Sequence, residues 1–171
     1  QKGVPKQVTE DLAKIVKASL HAREIIKKLM LFARQTPPKK RLTDLNKLVD
    51  EGLYFLESRC GRNGITVKRQ LSRKLPKVRV DPGQINQVLV NLIVNAIQAM
   101  PQGGSLKIST RQQPKSVSLL VEDTGMGMTS DVLDKIFVPF FTTKDVNQGT
   151  GLGLPVAHGI VTAHGGRIDV R

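Results

Sequence analysis

Residues 83–100 form an apolar stretch interrupted along one side only, and this restricts the fold more than any other part of the chain. Asp81-Pro82 marks its start, with proline near the first helical position, and Pro101 with Gly103-Gly104 stops it. Val88, Leu92, Val94 and Ile97 wrap most of the predicted helix, while Asn91, Asn95 and Gln98 fall at i, i+4 and i+7. Such a helix carries one polar stripe, which lies either at a solvent edge or, since apolar residues wrap the rest, against a ligand. Two strands predicted directly after it, residues 105–111 and 116–122, are separated by a turn holding Pro114.

Near the start, Leu12, Ile15, Ser19, Ala22, Ile26, Leu29 and Ala33 recur three and four residues apart. That is the seam of a helix built for a bundle or coiled coil, with Thr9 as expected N-cap and Pro37-Pro38 as its end. One helix cannot bury this stripe alone, so a partner helix is expected, from residues before Gln1 or from a second copy. Lys39-Lys40-Arg41 reads as a basic linker. Thr43 or Asp44 then caps a second helix whose Leu45, Leu48, Val49 and Leu53 share a face, closed by the turn at 61–64. Ile65 with Val67, and Val78 with Val80, alternate as short strands. A short helix over 131–136 and a final one over 152–163 are expected, the latter ended by Gly165-Gly166 and followed by a strand at 168–170. Hairpin connections, not a regular alternation of strand and crossover helix, point to an α+β chain: a two-layer α/β sandwich preceded by a bundle-forming helix.

At 171 residues the chain has room for one ordinary domain and a small appendage. Its net charge of +13 is unevenly placed: residues 1–80 hold 20 basic and 7 acidic side chains, residues 81–171 hold 7 of each. The basic first half suits an acidic protein partner, a polyanion or an anionic lipid surface, and equally a solvated face. With one Tyr, five Phe and no Trp, base-stacking platforms are not evident, so nucleic acid is a disfavoured partner. No apolar run approaches the roughly 20 residues that cross a bilayer, no secretory signal opens the chain, and Cys60 is its single cysteine. A cytoplasmic location is expected, with a membrane tether on the parent left open.

The stripe of carboxamide oxygens offers hard, neutral ligands of the kind Mg²⁺ takes beside waters and substrate phosphates. Val117, Leu119 and Val121 alternate toward Asp123, which stands directly before Gly125 and Gly127. A carboxylate there can accept from an exocyclic amine such as adenine N6, with glycines that let the backbone turn against a flat ring, although the same pattern also suits a plain turn. Gly149, Gly151 and Gly153 lead into the last helix, whose free N–H groups and positive dipole end suit phosphate oxygens. Between the glycine boxes, Phe137, Phe140 and Phe141 precede Thr142, Thr143 and Lys144, a composition for a hinged lid or for a loop anchored to the core. Neither glycine box fits GxxxxGK[ST], which argues against a P-loop.

Taken in order, NLIVNAIQAM, DTGMGM, FVPFFTTK and GTGLGLPVAHGIVTAHGG resemble the ATP-binding domain of bacterial sensor histidine kinases, within the gyrase, Hsp90, histidine kinase and MutL superfamily. The resemblance covers residues 42–171, and LHAREIIKKLMLFAR is similar to the second helix of the kinases' dimerisation and histidine-phosphotransfer domain. It implies the Bergerat-type fold, a division into residues 1–38 and 39–171, and ATP with Mg²⁺ as ligands. Asn95 would coordinate the metal and Asn91 would support the phosphates as the catalytic amide. Gln98, Ala99, Gly125, Gly127 and Met128 would also bind the nucleotide, with Asp123 as a buried reader of the adenine. Lys144, Gly149, Thr150, Gly151, Leu152 and Gly153 would close over the phosphates, as part of a lid spanning residues 128–148.

Two departures qualify the resemblance. None of His21, His158 and His164 has the sequence context of the family's phosphoacceptor, and Arg171 falls where the family continues into a glycine-containing strand pair, so a fragment short of those strands is expected. The expectation is therefore a kinase fragment that transfers the γ-phosphoryl of ATP to a histidine supplied by another helix of the same parent. Superfamily ATPases place a water-activating Glu at the position matched by Asn91, and an amide cannot take that proton. A superfamily ATPase and a non-catalytic nucleotide-binding signalling module are the alternatives. An acidic response-regulator receiver domain is the expected downstream partner, and homodimerisation is expected of the intact parent.

Overall fold

A computed structural model describes residues 5–33, 37–144 and 149–171. The chain begins with one long helix, α1 (Lys6–Ala33), which among the described residues makes no extended packing with any later element. It starts a turn earlier than expected: the Pro5 carbonyl accepts from Val8 N at 2.9 Å and Thr9 N at 3.2 Å. Proline has no N–H to leave unpaired there, so Thr9 lies inside the helix and is not its cap. The apolar seam is exposed at Leu12, Ile15 and Ile26. Leu29, also on that seam, and the side chain of His21 fall outside the described side chains.

The remaining elements are β1 (Arg41–Thr43), α2 (Leu45–Arg62), β2 (Ile65–Gln70), β3 (Val78–Val80), α3 (Pro82–Ala99), β4 (Gly104–Gln112), β5 (Val117–Asp123), α4 (Ser130–Leu133) and α5 (Gly153–Ala163). Arg41 is part of a strand and not of a linker, because the backbone of β1 pairs antiparallel with β3, Arg41 opposite Val80. Three residues are too few for alternation to show in a sequence. The main sheet has the order β2-β4-β5. β4 and β5 form the expected antiparallel hairpin, while β2 and β4 run parallel, Ile65 opposite Gly104, since β3 and α3 intervene and return the chain in the same direction.

Both long helices over this sheet begin at an aspartate. Asp44 accepts from Asn46 N and Lys47 N, and Asp81 accepts from Gly83 N and Gln84 N with Pro82 in the first turn. Val49, Leu53 and Cys60 of α2 meet Leu89, Ile93, Ala96 and Ile97 of α3 above Ile65, Leu106 and Ile108 of the sheet. Burying a leucine such as Leu53 or Leu89 contributes about 1.5–3 kcal/mol, and both are fully buried. Asn46 joins this layer to β4 by a small polar network: Thr110 Oγ1 donates to its Oδ1, and its Nδ2 donates to Ser72 O.

Two further expectations are corrected. The helix at 131–136 is shorter: α4 ends at Leu133, and Lys135 N turns back to Val132 O in place of continuing the α-helical pattern. Residues 168–170 are not a strand, because no ladder partner lies beside them among the described residues. No helix among the described residues is long and apolar enough to cross a membrane.

Candidate nucleotide site

The polar stripe of α3 faces the start of α5 and the side chain of Lys144. Asn91 Nδ2 donates to Gly153 O at 2.9 Å, and Gln87 Nε2 donates to Asn91 Oδ1 at 3.1 Å. The amide is thereby fixed as donor on one side and acceptor on the other. Lys144 Nζ donates to Gln98 Oε1 at 2.6 Å and to Asn95 Oδ1 at 3.4 Å. Burial holds the Lys144 pKa below the usual lysine value. A Cβ on Gly153 would stand 3.8 Å from Asn95 Nδ2, so the start of α5 comes close to the same amides. Leu152 at its N-cap offers no side-chain cap, and its own side chain is buried. The first N–H groups of α5 are therefore served by no cap, the arrangement that favours an anion.

At the other end of the stripe, Asp123 finishes β5 and its Oδ1 accepts from Gly125 N at 2.9 Å. Met126 N donates to Ala99 O at 3.1 Å, pinning this turn to the last residue of α3. Gly125 has to be glycine: an added Cβ would lie 2.6 Å from Ala99 O and 2.8 Å from Asp123 Oδ1. Asp123 is exposed, not buried as expected, because its turn forms the rim of the site. Gly127 has open space around it and Met128 is exposed.

The aromatic segment is anchored to the second glycine box by backbone. Phe140 N donates to Gly151 O at 3.0 Å, and a Cβ on Gly151 would come within 2.6 Å of Phe140 Cα. Both residues have positive φ, Phe140 at 68° and Gly151 at 63°. Gly149 sits against the Thr142 hydroxyl and the Lys144 Cβ, next to Thr150, which is half-buried. Phe137 packs on His158 with ring centroids 4.6 Å apart.

The structure thus brings Asn91, Asn95, Gln98, Lys144, Gly149 and Gly153 together, and separately groups Ala99, Asp123 and Gly125 at the adjoining end of α3. Gly127 and Met128 stand apart from these contacts. Gln87, four residues before Asn91 on the same stripe, joins the site without being among the expected residues. Phe140 was seen only as an aromatic, since a backbone angle leaves no mark on composition. Of the two later histidines, His158 is exposed with its ring tilted against Phe137, and His164 is structural. His164 ends α5, with Nε2 accepting from Asp81 N at 2.9 Å and Nδ1 placed 2.8 Å from Ile160 O.

Comparison with known proteins agrees with this geometry. A family model described as histidine kinase-, DNA gyrase B- and HSP90-like ATPase matches residues 80–171. The sensor kinase CckA of Brucella abortus is 38% identical over 173 residues, spanning 92% of this chain and 18% of CckA. The sensor histidine kinase ZraS of Escherichia coli K12 is 37% identical over 146 residues, 85% of this chain and 31% of ZraS. The chain therefore spans less than a third of these relatives. Among solved structures, full-length ShkA in complex with AMPPNP superposes with a TM-score of 0.80 at 22% identity, covering 96% of this chain and 35% of ShkA. Histidine kinase ThkA in complex with the response regulator TrrA gives 0.79 at 25% identity, covering 99% of this chain and 49% of that one. The nucleotide-free catalytic domain of ThkA gives 0.68 at 32% identity, covering 74% of this chain and 82% of that domain. With the family model matching more than half of its length, this chain belongs to the histidine kinase-, DNA gyrase B- and HSP90-like ATPases, as a sensor histidine kinase ATP-binding catalytic domain.

Proposed function

We propose that this chain binds ATP with Mg²⁺ and transfers the γ-phosphoryl to a histidine presented by a separate helix of its parent protein. The observation that carries the reading is the convergence of Asn91, Asn95, Lys144 and the start of α5 on one face of α3. Asp123 reads the adenine amine: the Gly125 N–H orients its carboxylate through Oδ1, and the other oxygen accepts from the base. The uncapped N–H groups of α5 receive phosphate oxygens.

The residues present fit a hard divalent ion, because the carboxamide oxygens of Asn95 and Gln98 already accept a cation in the form of the Lys144 ammonium. Asn95 would hold Mg²⁺, which when bound neutralises phosphate charge during transfer. Asn91 positions and does not act as a base, since its amide accepts from Gln87 and donates to Gly153 and has no proton affinity to use on water. Transfer therefore exceeds hydrolysis. His164 has both ring nitrogens engaged and His158 is stacked on Phe137, which supports an acceptor outside this domain.

The exposed apolar seam of α1 supports its assignment, within residues 1–38, to a helical bundle of a homodimeric parent. Residues 39–171 form the nucleotide unit: Lys39 N already bonds Asp81 Oδ2 and Lys40 Nζ bonds Ala163 O. ThkA, solved with TrrA, supports a response-regulator receiver as downstream partner. The deciding experiment adds the parent's isolated acceptor helix to this chain with γ-labelled ATP and Mg²⁺. Acid-labile, base-stable label on the helix is expected; brisk release of free phosphate without labelling would assign the chain to the ATPases instead.

A further inference from the structure

Lys144 occupies an unusual seat. Its ammonium is half-buried against two neutral carboxamides, Gln98 Oε1 at 2.6 Å and Asn95 Oδ1 at 3.4 Å. No carboxylate among the described residues pairs with it, although seven other cation–carboxylate pairs are present there. Amide dipoles offset part of the lost hydration of an ammonium but cancel none of its charge. The packing of Gly149 against Thr142 and the Lys144 Cβ holds the side chain toward this place. The ammonium is thus kept at the mouth of a phosphate site, on Asn95 Oδ1, the oxygen assigned above to a metal, and on Gln98 Oε1 beside it.

We infer that Lys144 is the resident cation of the nucleotide site, holding the Asn95 and Gln98 oxygens in place of a divalent ion and binding the polyphosphate when metal is absent. The inference rests on the nucleotide reading of this site. When a divalent ion is taken, Lys144 gives up Asn95 Oδ1 and turns its charge fully to the phosphates. Two consequences follow from one charge with two positions. Metal-free ATP binds the chain with useful affinity, and the dependence of affinity on metal is set by Lys144.

The test measures ATP affinity by calorimetry for the whole chain in excess Mg²⁺ and again in excess chelator. For the unaltered chain, chelation weakens binding by less than about tenfold, because a charge-assisted contact to phosphate remains. Lys144→Met adds a further loss on the order of tenfold to a hundredfold in chelator, the worth of one such contact, and a smaller loss in Mg²⁺. Lys144→Arg restores most of the metal-free affinity. Gln98→Leu keeps the charge but removes its seat, and lowers metal-free affinity by a smaller factor, which preserves the test should Lys144→Met fold poorly. An equal chelator penalty in the unaltered chain and Lys144→Met, or a penalty already near a thousandfold in the unaltered chain, overturns the inference alone. Absence of ATP binding by the unaltered chain in Mg²⁺ overturns the nucleotide reading, and this inference with it.

Discussion

Asn91 and Gly153, 62 residues apart in sequence, are joined by a 2.9 Å hydrogen bond from the side-chain amide to the backbone carbonyl. That bond sets the start of α5 against the amide stripe of α3, so the glycine box and the proposed metal ligand belong to one rigid arrangement. Asn91→Ala should lower stability by about 1 kcal/mol, the net worth of a partly buried hydrogen bond. Chemical denaturation checks this. ATP affinity should fall as well, because Gly153 is no longer held; unchanged stability and affinity would mean the bond positions nothing.

The two glycines after Asp123 are not equivalent. An alanine at 125 would place its Cβ on the Ala99 carbonyl, whereas at 127 it meets open space and only the positive φ of 68° opposes it. Gly127→Ala should cost about 1–2 kcal/mol of stability from backbone strain and leave ATP binding largely intact. Gly125→Ala must push the Asp123 turn away from α3. It should reduce ATP affinity at least tenfold more than Gly127→Ala does, as read by calorimetry.

Asp81 makes stability depend on acid pH. Burial pushes its carboxyl up, but the backbone N–H groups of Gln84, Lys39 and Gly83, with a smaller contribution from His164, outweigh this and leave its pKa below the ordinary carboxylate value. A carboxylate depressed in the folded state contributes stability above its unfolded pKa of about 3.9 and loses it as pH falls through the lower folded value. Asp81→Ala should therefore cost about 1 kcal/mol at neutral pH, a typical N-cap loss. Urea midpoints of the two proteins should converge as pH is taken below that range.

Phe140 carries backbone strain without the burial that would justify an aromatic. It lies at φ 68° and is 59% exposed. A non-glycine residue in this region costs roughly 1–2 kcal/mol, partly offset by the extra chain entropy glycine has when unfolded. Phe140→Gly should keep or slightly raise the melting temperature, while Phe140→Val, with its branched Cβ, should lower it. If glycine weakens ATP binding despite equal stability, the ring itself contacts the nucleotide.

How much of this was legible in the sequence depends on what each feature consists of. The helix caps at Asp44 and Asp81 and the β4–β5 hairpin follow from residue types at fixed spacing, and the structure has them; of the residues expected to wrap α3, Val88 and Ile97 are buried but Leu92 and Val94 only partly, and Leu89, Ile93 and Ala96 complete the buried face. The amide stripe was legible for the same reason, and Gln87 could have been read with it. The start of α1 at Lys6 was not, because a proline carbonyl did the work assigned to a threonine hydroxyl. The pairing of β1 with β3 and the parallel ladder of β2 with β4 depend on partners distant in sequence, which local periodicity does not encode. Asp123 was recognised by its place before two glycines, but its exposure is set by the way Gly125 fits Ala99.

Calorimetric titration of Mg²⁺ and ATP into this chain and into Asp123→Ala tests the central claim most directly. The account predicts saturable binding of ATP to the unaltered chain and a loss of at least tenfold in Asp123→Ala, with melting temperature preserved because Asp123 is exposed. Equal affinity in the two proteins, or no binding by either, would contradict it.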